Sequence, residues 1–87
     1  HNYIGVNETP ADMFGKAMSV SDELMWRYYA LLSSRSLPEI AAMRSAVEKG
    51  ELHPMQVKLD LAQEFVTRYH GEAEGQTARD GFSQVFQ

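Results

Sequence analysis

The chain has 87 residues, eight Lys or Arg against twelve Asp or Glu, a net charge of −4 and no cysteine. That length holds one domain with one small core, and the missing cysteines exclude disulfides and thiolate chemistry while leaving a cytoplasmic home open. The acidic balance excludes a general cationic coat for nucleic acid, and no apolar run approaches the ~20 residues of a membrane helix.

The first residues read as a linker. The chain does not begin with Met, and His1 fits no helix or strand pattern and reads as a tag remnant. Asn2-Tyr3-Ile4-Gly5-Val6 is apolar and turn-containing, so residues 1–8 are expected to arrive from elsewhere in a larger protein and to be mobile.

Five helices follow. Thr9-Pro10-Ala11-Asp12 is a start signal, with Thr9 as cap, Pro10 at the first position and Asp12 at capping-box spacing. Met13, Phe14, Ala17 and Met18 keep helical period, and the helix should stop near Ser19-Val20. Ser21 caps a second helix with Asp22 and Glu23 in its first turn. Leu24, Met25, Tyr28, Leu31 and Leu32 fall on one arc, while Asp22, Trp26, Tyr29 and Ser33 fall on the other. Ser36-Leu37-Pro38-Glu39 is a capping box. It opens a helix striped by Ile40, Met43 and Val47 and stopped by Gly50.

His53-Pro54 opens the fourth helix, where Val57, Leu61, Phe65 and Tyr69 repeat every four residues. Asp60, Gln63, Glu64 and Thr67 should form its wet face, with Glu64 and Arg68 as an i,i+4 pair. Leu61 and Phe65 are expected at the centre of the core, faced by Leu24, Tyr28 and Leu31. Gly71 ends the helix. The last segment, Glu72 to Phe86, contains Gly75 and Gly81, each costing about 1 kcal/mol relative to Ala in a helix, so it should depend on docking. No strand alternation appears. The expected fold is all-α, a small bundle of four to five helices with short loops.

The chain carries little chemistry of its own. It has no Gly-rich phosphate loop, no His-Glu-x-x-His pair and no nucleophile–base spacing. His70 near Glu72 and Glu74 reads as a polar helix end rather than a metal cluster, His53 as a cap or surface residue, and the five Met residues as core filling. Neither a catalytic residue nor a metal ligand is assigned. One constellation stands out. Asp22 and Trp26 lie one turn apart, with Arg27 adjacent and Lys16 close in sequence. A carboxylate accepts two hydrogen bonds from the Watson–Crick edge of guanine, and aromatic faces stack unpaired bases. The plainer alternative makes Asp22 a helix-start residue and Trp26 a packed side chain.

Longer stretches carry a resemblance. Asn2-Tyr3-Ile4-Gly5-Val6, Glu8-Thr9-Pro10, Met13-Phe14-Gly15-Lys16, Met18 through Met25 and Tyr28-Tyr29-Ala30-Leu31-Leu32 resemble the part of bacterial tyrosyl-tRNA synthetases directly after their Lys-Met-Ser-Lys-Ser loop. Lys58 through Glu64 and His70-Gly71-Glu72-Ala73 resemble the fourth helix of the same region and the residues after it. The resemblance implies a division into a linker at 1–8 from a catalytic domain and a helical anticodon-recognition domain at 9–87. It implies a parent tyrosine–tRNA ligase of class I that uses ATP and magnesium, is homodimeric and cytoplasmic, and ends in a C-terminal RNA-binding module. The fragment itself would be inactive and without a cofactor. Its partners would be the anticodon arm of tyrosine tRNA and the parent's other domains, with no membrane. The family's anticodon-facing acid falls on Asp22, and guanine or a modified guanine begins that anticodon. Trp26 lies outside the general family pattern. Lys16, Arg27 and Arg35 would supply a minor share of phosphate contacts.

Two readings compete with this one. A protein–protein adaptor would dock through a Trp26/Tyr29 strip. A helix-turn-helix DNA binder would need base-reading polar residues on the third helix, which offers Ile40, Ala41, Ala42 and Met43 with Arg44 alone.

Overall fold

A computed structural model describes residues 8–85, with side chains described through residue 84. The helices are α1 (Pro10–Met18), α2 (Asp22–Leu32), α3 (Leu37–Glu48), α4 (Pro54–His70) and α5 (Glu72–Val85), and no strand occurs among the described residues. The expected linker at 1–8 lies outside the described residues except for Glu8. That residue is half-buried and held, its carboxylate paired with Lys16 and its carbonyl oxygen 2.9 Å from His70 Nε2.

The starts follow local chemistry. Thr9 Oγ1 accepts from the Asp12 N–H at 3.2 Å, and Ser21 Oγ accepts from the Leu24 N–H at 3.2 Å. Ser36 and Glu39 form the reciprocal capping box at 3.2 and 3.0 Å, and those bonds hold the Glu39 carboxyl below its ordinary range. His53 Nδ1 accepts from the Met55 N–H at 3.0 Å, so His53 is a cap. Gly50 and Gly71 close α3 and α4 at φ +77° and +95°, a region that disfavours any Cβ.

Helices α1, α4 and α5 pack on one another, and α2 and α3 join this trio more sparsely. Met13, Phe14 and Ala17 of α1 bury against Val57, Leu61, Ala62, Phe65 and Val66 of α4. Leu61 and Phe65 are buried as expected, and the Tyr28 ring meets Phe65 edge-on at 5.7 Å.

Helix α2 turns a different face inward. Met25, Trp26 and Tyr29 are buried, whereas Leu31 is 72% exposed. The helix is apolar on both sides, so periodicity alone leaves its rotation undetermined. Burying Trp26 and Tyr29 removes the larger aromatic area from water and gives the Tyr29 hydroxyl a partner, the Val57 carbonyl at 2.5 Å. Burial pushes the Tyr29 phenol well above its ordinary range, assisted by the Asp60 charge. Tyr69 also departs from expectation, being exposed at 47%. A strict four-residue repeat drifts about 40° per step around an α-helix, so three steps from Val57 carry Tyr69 off the core stripe.

The supposed wet face of α4 is a polar seam. Arg79 Nη1 of α5 lies 2.8 Å from Asp60 Oδ1 and 2.9 Å from Gln63 Oε1, and Gln63 donates to Gln76 at 3.2 Å. Glu64 does not pair with Arg68. Its carboxylate accepts from the Ser33 hydroxyl at 2.8 Å and from the Ser34 N–H and hydroxyl at 2.7 and 3.0 Å, pinning the α2–α3 loop. Partial burial pushes the Glu64 carboxyl up, but these hydrogen bonds and the Arg35 charge outweigh it and hold the group below its ordinary range. Helix α5 runs unbroken through Gly75 and Gly81. Gly75 is buried where a Cβ would collide with Thr67 Oγ1, so its missing side chain is what lets α5 approach α4.

Candidate nucleic-acid interface

The joint between α1 and α2 places the predicted site. Helix α1 ends at Met18 with Ser19 as its C-cap, and Ser21 caps α2, leaving Asp22 as the first helical residue. The partial positive charge of the helix start favours an ionised acid there. Asp22 is 65% exposed at its side chain, with Oδ1 3.1 Å from Lys58 Nζ. Lys58 is only 15% exposed and also donates to the Val20 carbonyl at 2.7 Å. One ammonium on α4 therefore fixes both the backbone of the joint and the acid beyond it. The hollow around this pair is walled by Met18, Pro54, Met55 and Phe82.

Trp26 and Arg27 line a second hollow, on the α3 side of the same helix, together with Ser21, Glu23, Leu24 and Arg44. Trp26 is 8% exposed; its ring packs 5.8 Å from Tyr29 and lies under the Arg44 guanidinium at 5.9 Å. The geometry favours packing over an open stacking platform, and it leaves no exposed Trp26/Tyr29 strip for an adaptor. Arg27 is exposed. Lys16 stands apart from both hollows on α1, in its pair with Glu8. The structure thus unites Asp22 with Lys58, and Trp26 with Arg27 and Arg44, without gathering Asp22, Trp26, Arg27 and Lys16 into one hollow.

Lys58 and Arg44 escaped the sequence reading as parts of these hollows. The available signal for Lys58 was a lysine beside Val57 and Leu59 at the start of an apolar helix. Its partner lies 36 positions earlier, so the pairing appears only once α2 and α4 are placed. Among the described residues no group of three or more His, Asp or Glu is arranged to hold a metal ion, and no helix is long and apolar enough to cross a membrane.

An all-α module with an exposed acid anchored at a helix start is the class of object defined so far. The family model for class I tRNA synthetases (W and Y) matches residues 2–87, and the chain belongs to that family. The tyrosine–tRNA ligase of Nitratidesulfovibrio vulgaris is 64% identical over 85 residues, covering 98% of this chain and 21% of its own length. Those of Oleidesulfovibrio alaskensis and Sulfurimonas denitrificans are each 54% identical, over 98% and 97% of this chain and 21% of their lengths. The chain thus spans about a fifth of the length of these relatives.

Proposed function

We propose that residues 9–87 are the helical domain of a tyrosine–tRNA ligase and that this domain helps hold the anticodon arm of tyrosine tRNA. Residues 1–8 join it to a class I catalytic domain that activates tyrosine with ATP and magnesium and charges the tRNA, and a C-terminal RNA-binding module follows. The parent works as a cytoplasmic homodimer. The sequence carries no phosphate-binding loop, so no step through ATP or magnesium is assigned to this chain's residues, and the fragment alone is inactive.

The observation that carries this reading is the exposed Asp22 carboxylate, an acceptor-only group held at a helix start by a nearly buried lysine. Guanine is the base whose Watson–Crick edge offers two adjacent N–H donors to such a group. Arg27 and Arg44 flank the neighbouring hollow and suit a minor phosphate share, while most phosphate contacts come from the other domains, consistent with the −4 charge here. The test is Asp22→Ala in the full-length ligase, comparing kcat/KM on tyrosine tRNA with guanine and with adenine at the first anticodon position. The preference for guanine should fall by about tenfold, within the ~1–3 kcal/mol of a good base-edge contact. An unchanged preference refutes the role of Asp22.

A further inference from the structure

We infer that Lys58 is a positioning residue for anticodon reading, holding the Asp22 carboxylate in the orientation that a guanine edge requires. The inference rests on the anticodon role proposed for Asp22 and adds a residue on another helix.

Three observations carry it. The first is the asymmetry of the pair: Lys58 is 15% exposed and Asp22 65%, so the ammonium is sequestered while the carboxylate faces outward. An ion pair between two mobile surface chains orders little. Here one partner is already fixed by its burial on α4. The second is the double attachment. The same Nζ takes the Val20 carbonyl at 2.7 Å and Asp22 Oδ1 at 3.1 Å. Val20 is itself buried, immediately before the Ser21 cap. Backbone and side chain of the reading residue are therefore referred to one atom, and the rotamer freedom that base binding would otherwise remove is already reduced. The third is charge. A bare carboxylate is repelled by the phosphates flanking any base it approaches. Lys58 offsets that charge at contact distance while occupying one oxygen, and an ionised carboxylate retains acceptor sites on both.

Lys58 touches no base in this scheme and acts only through Asp22. The experiment compares Lys58→Met, Lys58→Arg, Asp22→Ala and the Lys58→Met/Asp22→Ala pair in the full-length ligase. The readout is the ratio of kcat/KM on tyrosine tRNA with guanine against adenine at the first anticodon position, with urea melts run in parallel. Lys58→Met should lower the ratio by about fivefold, chiefly through KM for the guanine tRNA, and the double variant should be no worse than Asp22→Ala alone, the signature of two residues acting as a unit. Lys58→Arg, which keeps charge and donors, should restore most of the ratio. If Lys58→Met does not fold, Lys58→Gln, uncharged but still a donor, should show the same loss. An Asp22→Ala enzyme that loses discrimination beside a Lys58→Met enzyme that keeps it, with only a stability loss in urea, overturns the inference and leaves the role of Asp22 intact. Additive losses in the double variant overturn it as well. An Asp22→Ala enzyme that keeps discrimination refutes the underlying reading and the inference together.

Discussion

Gly75→Ala and Gly81→Ala should change stability in opposite directions, although both replace a glycine within the same helix. Helix propensity alone favours Ala by about 1 kcal/mol at each position. At Gly81 nothing lies within 4 Å of the added methyl, so that gain should appear almost whole. At Gly75 the methyl would fall well inside contact distance of Thr67 Oγ1 and 3.2 Å from the Gln63 carbonyl oxygen. The Gln63 oxygen is backbone of α4 and cannot swing aside, and β-branched Thr67 has few rotamers available. Relief then requires α5 to back away from α4, straining the Arg79–Asp60 and Gln76–Gln63 contacts of the seam. Overpacking of this kind costs ~1–3 kcal/mol, so after the propensity gain the net loss should be up to ~2 kcal/mol. Thr67→Ala supplies the internal control. With Oγ1 gone, the nearest neighbours of the methyl are the Gln63 oxygen at 3.2 Å and the Thr67 Cβ position at an ordinary 3.4 Å. Gly75→Ala should then be close to neutral in that background, giving a coupling of up to ~2 kcal/mol between the two sites. The assay is urea unfolding of this chain followed by far-ultraviolet circular dichroism. Stabilisation by Gly75→Ala equal to that of Gly81→Ala would refute the close approach of α4 and α5.

Two further outcomes follow from the core and the loop. Phe65→Ala should cost ~3–5 kcal/mol in urea melts, since Phe65 is 4% exposed and packs edge-on with Tyr28; a loss under ~1 kcal/mol would mean that α4 turns another face inward. The Glu64 carboxyl is held below its ordinary value of 4.5 in the folded chain. Its contribution is therefore fully present above that value and is lost as pH falls through the lower folded value. Glu64→Gln should flatten this part of the acid limb in a pH series of melts, and an acid limb identical to that of the parent chain would remove Glu64 from the α2–α3 latch.

The helix boundaries were readable because they are local. Ser36 and Glu39, Thr9 and Asp12, and Gly71 each announce a terminus within four residues; Ser36 and Glu39 bond in both directions, and Thr9 takes the Asp12 N–H as its cap. The facing residues were harder. α2 carries large apolar side chains on two opposite sides, so only its neighbours decide that Trp26 and Tyr29 turn inward while Leu31 turns out. Likewise Asp60, Gln63 and Glu64 look like a solvated face until Arg79, Gln76 and the Ser33–Ser34 loop reach them. For the site, the Asp22 position followed from a cap signal and a resemblance. Lys58 did not, because an ion pair between α2 and α4 leaves no mark on either helix alone.

The measurement that bears most directly on the central claim is the structure of the full-length ligase bound to tyrosine tRNA, observed at the first anticodon base. A guanine Watson–Crick edge should lie within hydrogen-bond distance, about 2.7–3.2 Å, of the Asp22 carboxylate, with Lys58 still on Oδ1. An anticodon loop seated on another face of the helices, with Asp22 left in water, would contradict it.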